Sequence, residues 1–183
     1  SSKLTAHSRK YQMYAHLYSA CVYDERGEYE NAMKDYKTAF TLAENMQDSL
    51  YMWRINNYIG DVFSQLSYFE DELKIYKESV NLVKDIDKKA KSFANIASRY
   101  CVLFNNDSAQ FYIKQAIAFA EQTNDDDVLS QIYQNAYVVY SECGEHELAR
   151  KYLNMSFEKN SDPQQENLYY LNYFYLYLEE CDI

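Results

Sequence analysis

The chain has 183 residues, 48% hydrophobic and 25% charged, which suits one folded domain and excludes a disordered tail. A net charge of −10 and a pI near 4.8, without a basic stripe, disfavour nucleic acid and anionic membrane surfaces as partners. Only three glycines and one proline occur, where average usage gives roughly 13 and 9, so long helices with short polar links are favoured over strands.

The apolar spacing predicts nine helices, at 4–25, 29–45, 49–66, 69–85, 88–104, 107–122, 126–142, 145–159 and 163–180. Across the first two runs Ala20-x2-Tyr23-x3-Gly27-x-Tyr29-x2-Ala32-x3-Tyr36-x2-Ala39, which alternates small and large residues at helical spacing. The pattern returns 40 residues on as Gly60, Phe63, Phe69, Tyr76 and Ser79, with Glu72 at the Ala32 position. It returns again after 37 as Ala97, Tyr100, Ala109, Ile113 and Ala116, and after another 40 as Tyr137, Tyr140, Ala149, Leu153 and Ser156. Small residues let two antiparallel helices cross closely, and the large ones fill the space left over. Gly27 and Gly144 fall where a hairpin turns, and Gly60 at a close crossing inside a helix. Asp48-Ser49 and Asp125-Asp126-Asp127 put carboxylates at helix starts, and Asp162-Pro163-Gln164-Gln165 reads as N-cap, first-turn proline and capping-box glutamine.

The repeats are expected at about 12–45, 49–86, 88–123 and 126–160, with the first helix of a fifth at 163–180, all in one domain over 1–183. That last helix, Tyr169-Tyr170-Leu171-Asn172-Tyr173-Phe174-Tyr175-Leu176-Tyr177-Leu178, is apolar or aromatic on every side. Terminal repeats normally turn a polar face to water. With Ser1 rather than Met at the start, the expectation is a fragment of a longer chain, or a helix that pairs with another molecule, including a second copy.

The succession of small residue, Tyr, Gly, Tyr, Ala, aromatic and Ala resembles the tetratricopeptide repeat over nearly the whole chain. It departs from that pattern in lacking an opening Trp and most closing prolines, and in a period longer than the family's 34 residues. The resemblance implies an all-α, α-α superhelix: a solenoid of about four and a half hairpins that binds polypeptide. The longer repeats and the Asn106-Asp107-Ser108-Ala109 turn also resemble the sensory repeat regions of bacterial regulators and, more distantly, of peptide-sensing quorum receptors.

In such a superhelix the first helix of each pair lines the concave wall. By register this places Leu17, Tyr18, Cys21, Arg54, Asn57, Tyr58 and Asp61 there, then Lys91, Asn95 and Ser98, then Gln131, Gln134, Asn135 and Val138, then Tyr169, Asn172 and Tyr173. Side-chain amides recur among them, and an amide matches the donor and acceptor of an extended peptide backbone. The competing reading is that these Asn and Gln residues merely solvate a helix face. Chaperone-type repeats hold a C-terminal carboxylate with a clamp of Lys, Asn and Arg, but Leu17 and Cys21 stand where two of those are needed and Lys91 alone matches.

Catalysis finds no motif: His7, His16 and His146 are scattered, and no glycine-rich phosphate loop or nucleophile elbow occurs. The four cysteines Cys21, Cys101, Cys143 and Cys181 form no close pair, which argues against zinc and for small buried apolar residues. No cofactor or metal is expected. Asp85–Asp87 and Asp125–Asp127 lack calcium-loop spacing and read as caps or links. No apolar run reaches the roughly 18 residues of a membrane helix, and the compartment stays open between cytoplasm and bacterial periplasm. The leading reading is a non-enzymatic peptide- or protein-binding scaffold, with self-association through helix 163–180 as its rival.

Overall fold

The computed structural model describes the backbone of residues 2–160 and 166–180, so the capping motif expected at 162–165 lies outside the described residues. Among the described residues the chain is all-α, with nine helices and no strand. They divide into two compact units, 1–83 and 84–183. No helix is long and apolar enough to cross a membrane.

The first unit holds α1 (Ser2–Glu25), α2 (Tyr29–Asn45), α3 (Ser49–Gln65) and α4 (Phe69–Leu82). Helices α1 and α2 pack as one hairpin, α3 and α4 as the next, and α2 lies against α3. The recurrent positions face inward as the repeat predicts: Ala20, Ala32, Tyr36, Ala39, Gly60, Glu72, Tyr76 and Ser79 are all buried. Full burial of a side chain the size of Tyr36 is worth about 2–3 kcal/mol. Gly60 sits where a Cβ would fall on the ring of Tyr76, 2.7 Å from Cζ, so the crossing depends on the missing side chain. The Tyr36 hydroxyl donates to Asp24 Oδ2 at 3.3 Å, and the Tyr76 hydroxyl to Asp61 Oδ1 at 3.0 Å, which keeps both phenols satisfied.

The second unit holds α5 (Ile86–Val102), α6 (Asn106–Ala120), α7 (Asp126–Glu142), α8 (His146–Lys159) and α9 (Glu166–Glu180). Its hairpins are α5–α6 and α7–α8; α7 also contacts α5 and α6, and α9 packs on α8. Ala97, Ala109, Ile113, Ala116, Tyr137, Tyr140, Ala149 and Leu153 form one cluster that also takes in Leu176 of α9. Ring pairs Tyr100–Tyr112 and Tyr140–Tyr152 stack at centroid distances of 5.4 Å, one inside each hairpin.

The turns share one device. Gly27 (φ 72), Ser67 (φ 60), Phe104 (φ 55) and Gly144 (φ 75) occupy the left-handed region at intervals of 40, 37 and 40 residues. At each, the next residue's N–H donates to the carbonyl of the recurrent aromatic: Glu28 to Tyr23, Tyr68 to Phe63, Asn105 to Tyr100, Glu145 to Tyr140. These bonds satisfy the last carbonyls of the first helix. The caps at Asp48 and Asp125 form as expected, and Asn105 and Asp85 cap α6 and α5 in the same way. Most helix ends fall within two residues of expectation; the largest difference among the described ends is that the fourth helix stops at Leu82 rather than 85. Val83 is extended, and Asp85 serves the following helix instead, accepting from Lys88 N and pairing with Lys88 Nζ at 3.0 Å.

Candidate peptide-binding surface

In the first unit the proposed wall residues come from α1 and α3. Tyr18 is 71% exposed and Arg54 is exposed. Tyr58 is half-buried and stacks on Tyr36, with centroids 5.6 Å apart and planes 10° apart. Asp61 is exposed and held by the Tyr76 hydroxyl; Asn57 donates to Trp53 O at 2.7 Å. Two positions read as wall-facing have other tasks. Leu17 is buried at 6% exposure because it continues the Met13–Ala20 stripe into the core, leaving Tyr18, one position on, to face outward. Cys21 is half-buried beneath the Tyr36 hydroxyl, 3.6 Å from it.

In the second unit the set comes from α5, α7 and α9. Lys91, Asn95, Gln134, Asn135 and Asn172 are all half-buried, and Tyr173 is exposed. Half-burial leaves a side-chain amide reachable while its apolar stem is packed. The structure brings two of these residues together: Gln134 and Asn172 line one small recess with Ser156, Asn160 and Tyr169, and its volume of about 10 Å³ is the size of one water. The Tyr169 hydroxyl donates to Asn154 Oδ1 at 2.8 Å, and its ring lies 6.0 Å from that of Tyr173. Beyond this recess α9 turns Tyr170, Leu171, Phe174, Tyr175 and Tyr177 to the outside.

Other features had weaker signals in the sequence. A concavity of about 600 Å³ in the first unit lies between α2 and the α3–α4 turn, lined by Tyr29, Met33, Phe63 and Leu66 together with Lys34 and Lys37. The register could have pointed there, because Leu66 and Tyr68 are large apolar residues at a turn. His16 is partly exposed, with its Nδ1 2.9 Å from Asp35 Oδ1. The Ser19 hydroxyl and then His16 hold the Asp35 carboxyl below its usual range against the opposing effect of burial. Three residue types familiar from hydrolases therefore meet, but the carboxylate sits between serine and histidine. A nucleophile needs the histidine at its own hydroxyl, so this arrangement activates nothing. Among the described residues no group of three His, Cys, Asp or Glu side chains is placed to hold a metal ion.

No family model and no curated protein matches the sequence. Solved structures match over most of it. BtubC (BKLC) from P. vanneervenii superposes with a TM-score of 0.76 at 15% identity, covering 89% of this chain and 70% of its own. MamA gives 0.62 at 16%, covering 92% and 82%, and the APC/C hetero-tetramer Cut9–Hcn1 gives 0.52 at 17%, covering 93% and 40%. These are proteins that carry tetratricopeptide repeats, and the fold of this chain is the all-α helical-hairpin solenoid of that type.

Proposed function

We propose that this protein is a non-catalytic scaffold whose first helices recognise a segment of another polypeptide through a ladder of amides flanked by tyrosines. The fold class supports a protein-interaction role in general. The observation that carries the finer reading is the recurrence of a half-buried amide on every first helix from α3 onward: Asn57, Asn95, Gln134 with Asn135, and Asn172. Tyr18, Arg54, Tyr58, Asp61, Lys91 and Tyr173 supply the flanking aromatic and charged contacts. A side-chain amide carries an acceptor and two donors, one of which Asn57 uses on Trp53 O; in the second unit Asn95, Gln134, Asn135 and Asn172 would follow the backbone of an extended peptide while the tyrosines read its side chains. A role as the sensory region of a bacterial regulator rests on the sequence resemblance alone.

The test begins with a peptide selected by display against the whole chain and titrated calorimetrically. Asn95→Ala with Asn135→Ala should weaken its binding at least tenfold, with no change in helical content or molar mass. Undiminished binding by the double variant would refute the ladder.

A second reading, docking or self-association through α9, is favoured by the aromatic side chains that helix leaves in water. Light scattering over a concentration series tests its self-association form: a dimer that Phe174→Ser and Tyr177→Ser dissolve supports it, and a monomer at all concentrations removes self-association.

A further inference from the structure

The three thiols among the described residues are not equally placed. Cys21 stands apart in the first unit, whereas Cys101 and Cys143 meet in the second. Cys101 is in the last turn of α5, and Cys143 ends α7. The two thiols are within hydrogen-bonding reach of each other, with the Gln110 side chain also bonding Cys143. An independent contact fixes the same neighbourhood: Cys143 Sγ lies 4.0 Å from the carbonyl of Asn106, at the start of α6. Phe104 N donates to Cys101 O at 2.8 Å, so the α5–α6 turn is built directly on Cys101. Both side chains are half-buried against one apolar cluster. Repeat register does not pair them, because Cys101 corresponds to Ser141 and Cys143 to Leu103. The packing of α7 against α5 and α6 does.

We propose that Cys101 and Cys143 form a reversible intrachain disulfide, a modification site for low-molecular-weight disulfides such as oxidised glutathione. One protein thiol loses its proton to water and attacks a sulfur of the small disulfide. That S–S bond breaks, and the departing half leaves as a thiolate that takes up a proton. The second protein thiol, deprotonated in turn, attacks the protein sulfur of the mixed disulfide and expels the other half as a thiol. The two cysteines lose two protons and two electrons, and the small disulfide gains them as two thiols. Burial pushes the Cys101 thiol up to about 12 and the Cys143 thiol upward as well, with Glu142 and Glu145 adding negative charge beside them. Few molecules carry the attacking thiolate at neutral pH, so the pair responds to sustained oxidising conditions rather than to a brief pulse. Once formed, the bond ties the α5–α6 hairpin to α7 and fixes the helices that carry Asn95 and Asn135. The proposal stands whether or not those amides bind peptide.

The experiment uses the full chain with Cys21→Ser and Cys181→Ser, leaving two thiols, incubated with oxidised glutathione at pH 8 and read by intact mass and iodoacetamide labelling. The expected product is a monomer lighter by two hydrogens, with no alkylatable thiol, a peptide map joining the two cysteines and a higher denaturant midpoint that dithiothreitol reverses. Introducing Cys101→Ser or Cys143→Ser should instead stop the reaction at one glutathione adduct or at the free thiol. Two persistent thiols, two glutathione adducts on one chain, or a disulfide-linked dimer would overturn the proposal. If Cys21→Ser disturbs the Tyr36 contact and unfolds the protein, peptide mapping of the unsubstituted chain decides between the same outcomes.

Discussion

Phe104 occupies the left-handed region, φ 55, with 91% of its surface in water. A left-handed conformation costs an L-residue roughly 1–2 kcal/mol. Glycine escapes that strain but has more freedom to lose on folding, which takes back about 0.5–1 kcal/mol. A phenylalanine so exposed forfeits only a few tenths of a kcal/mol of packing on truncation. Phe104→Gly should therefore raise stability by about 0.2–0.7 kcal/mol, or roughly 1–5 °C for a unit of this size. Phe104→Ala keeps the strain and loses the same packing, so it should be neutral or slightly destabilising. Gly144→Ala at φ 75 imports the strain and should cost about 1 kcal/mol. Urea titrations followed by helical circular dichroism compare the three. Equal gains from glycine and alanine at 104 would show that exposure, not backbone strain, governs the site, and a loss with glycine would refute the reasoning outright.

Other substitutions probe the packing. Gly60→Ala should cost about 1–3 kcal/mol despite alanine's better helix propensity, because the added methyl meets the Tyr76 ring; thermal melts would show it, and Tyr76→Leu should recover part of the loss. His16 and Asp35 stand where the α5–α6 and α7–α8 hairpins carry Phe93 with Tyr112 and Tyr133 with Tyr152, ring pairs at 6.2 and 5.8 Å. Replacing both by Phe and Tyr should stabilise the first hairpin by about 0.5–1 kcal/mol over the sum of the single changes, measured as a double-mutant cycle. Since the folded Asp35 carboxyl is held below its ordinary 3.8, its contribution is full above that value and is lost as pH falls through the folded pKa. The stability gap between wild type and Asp35→Ala should thus shrink as urea midpoints are taken from pH 7 down to pH 2; a constant gap would mean that the charge contributes nothing.

The helical hairpins were legible because each rests on a few marks that physics makes hard to replace. A small residue at Ala32, Ala109 or Ala149 and a large one at Tyr36, Ile113 or Leu153 are set by helix–helix distance, so they recur from hairpin to hairpin. Even Glu72, a poor match to its small counterparts, is buried where the register puts it. The turns were only half legible. Gly27 and Gly144 announce a left-handed residue, but Ser67 and Phe104 take the same conformation because the hydrogen bonds to Phe63 and Tyr100 hold it irrespective of side chain. Register placed Leu17 and Tyr18 together on the wall, yet residues one apart lie about 100° apart around a helix, and here Leu17 falls on the buried Met13–Ala20 stripe while Tyr18 stays outside. The end of α4 was misplaced because an Asp can solvate a helix end or cap the next start, and only geometry shows Asp85 capping α5. The contact of Cys101 with Cys143 arises from packing between hairpins, which leaves no periodic trace in the chain.

The amide ladder is tested most directly by the side-chain NH₂ resonances of its own asparagines and glutamines. The display-selected peptide would be titrated into ¹⁵N-labelled protein, with the signals assigned by substitution. The account predicts saturable shifts for Asn95, Gln134, Asn135 and Asn172 that follow one binding curve, while Asn31 and Gln122, away from the first helices, stay still. Shifts confined to residues outside the first helices, such as Asn81 on α4, or none at the four amides despite bound peptide, would contradict it.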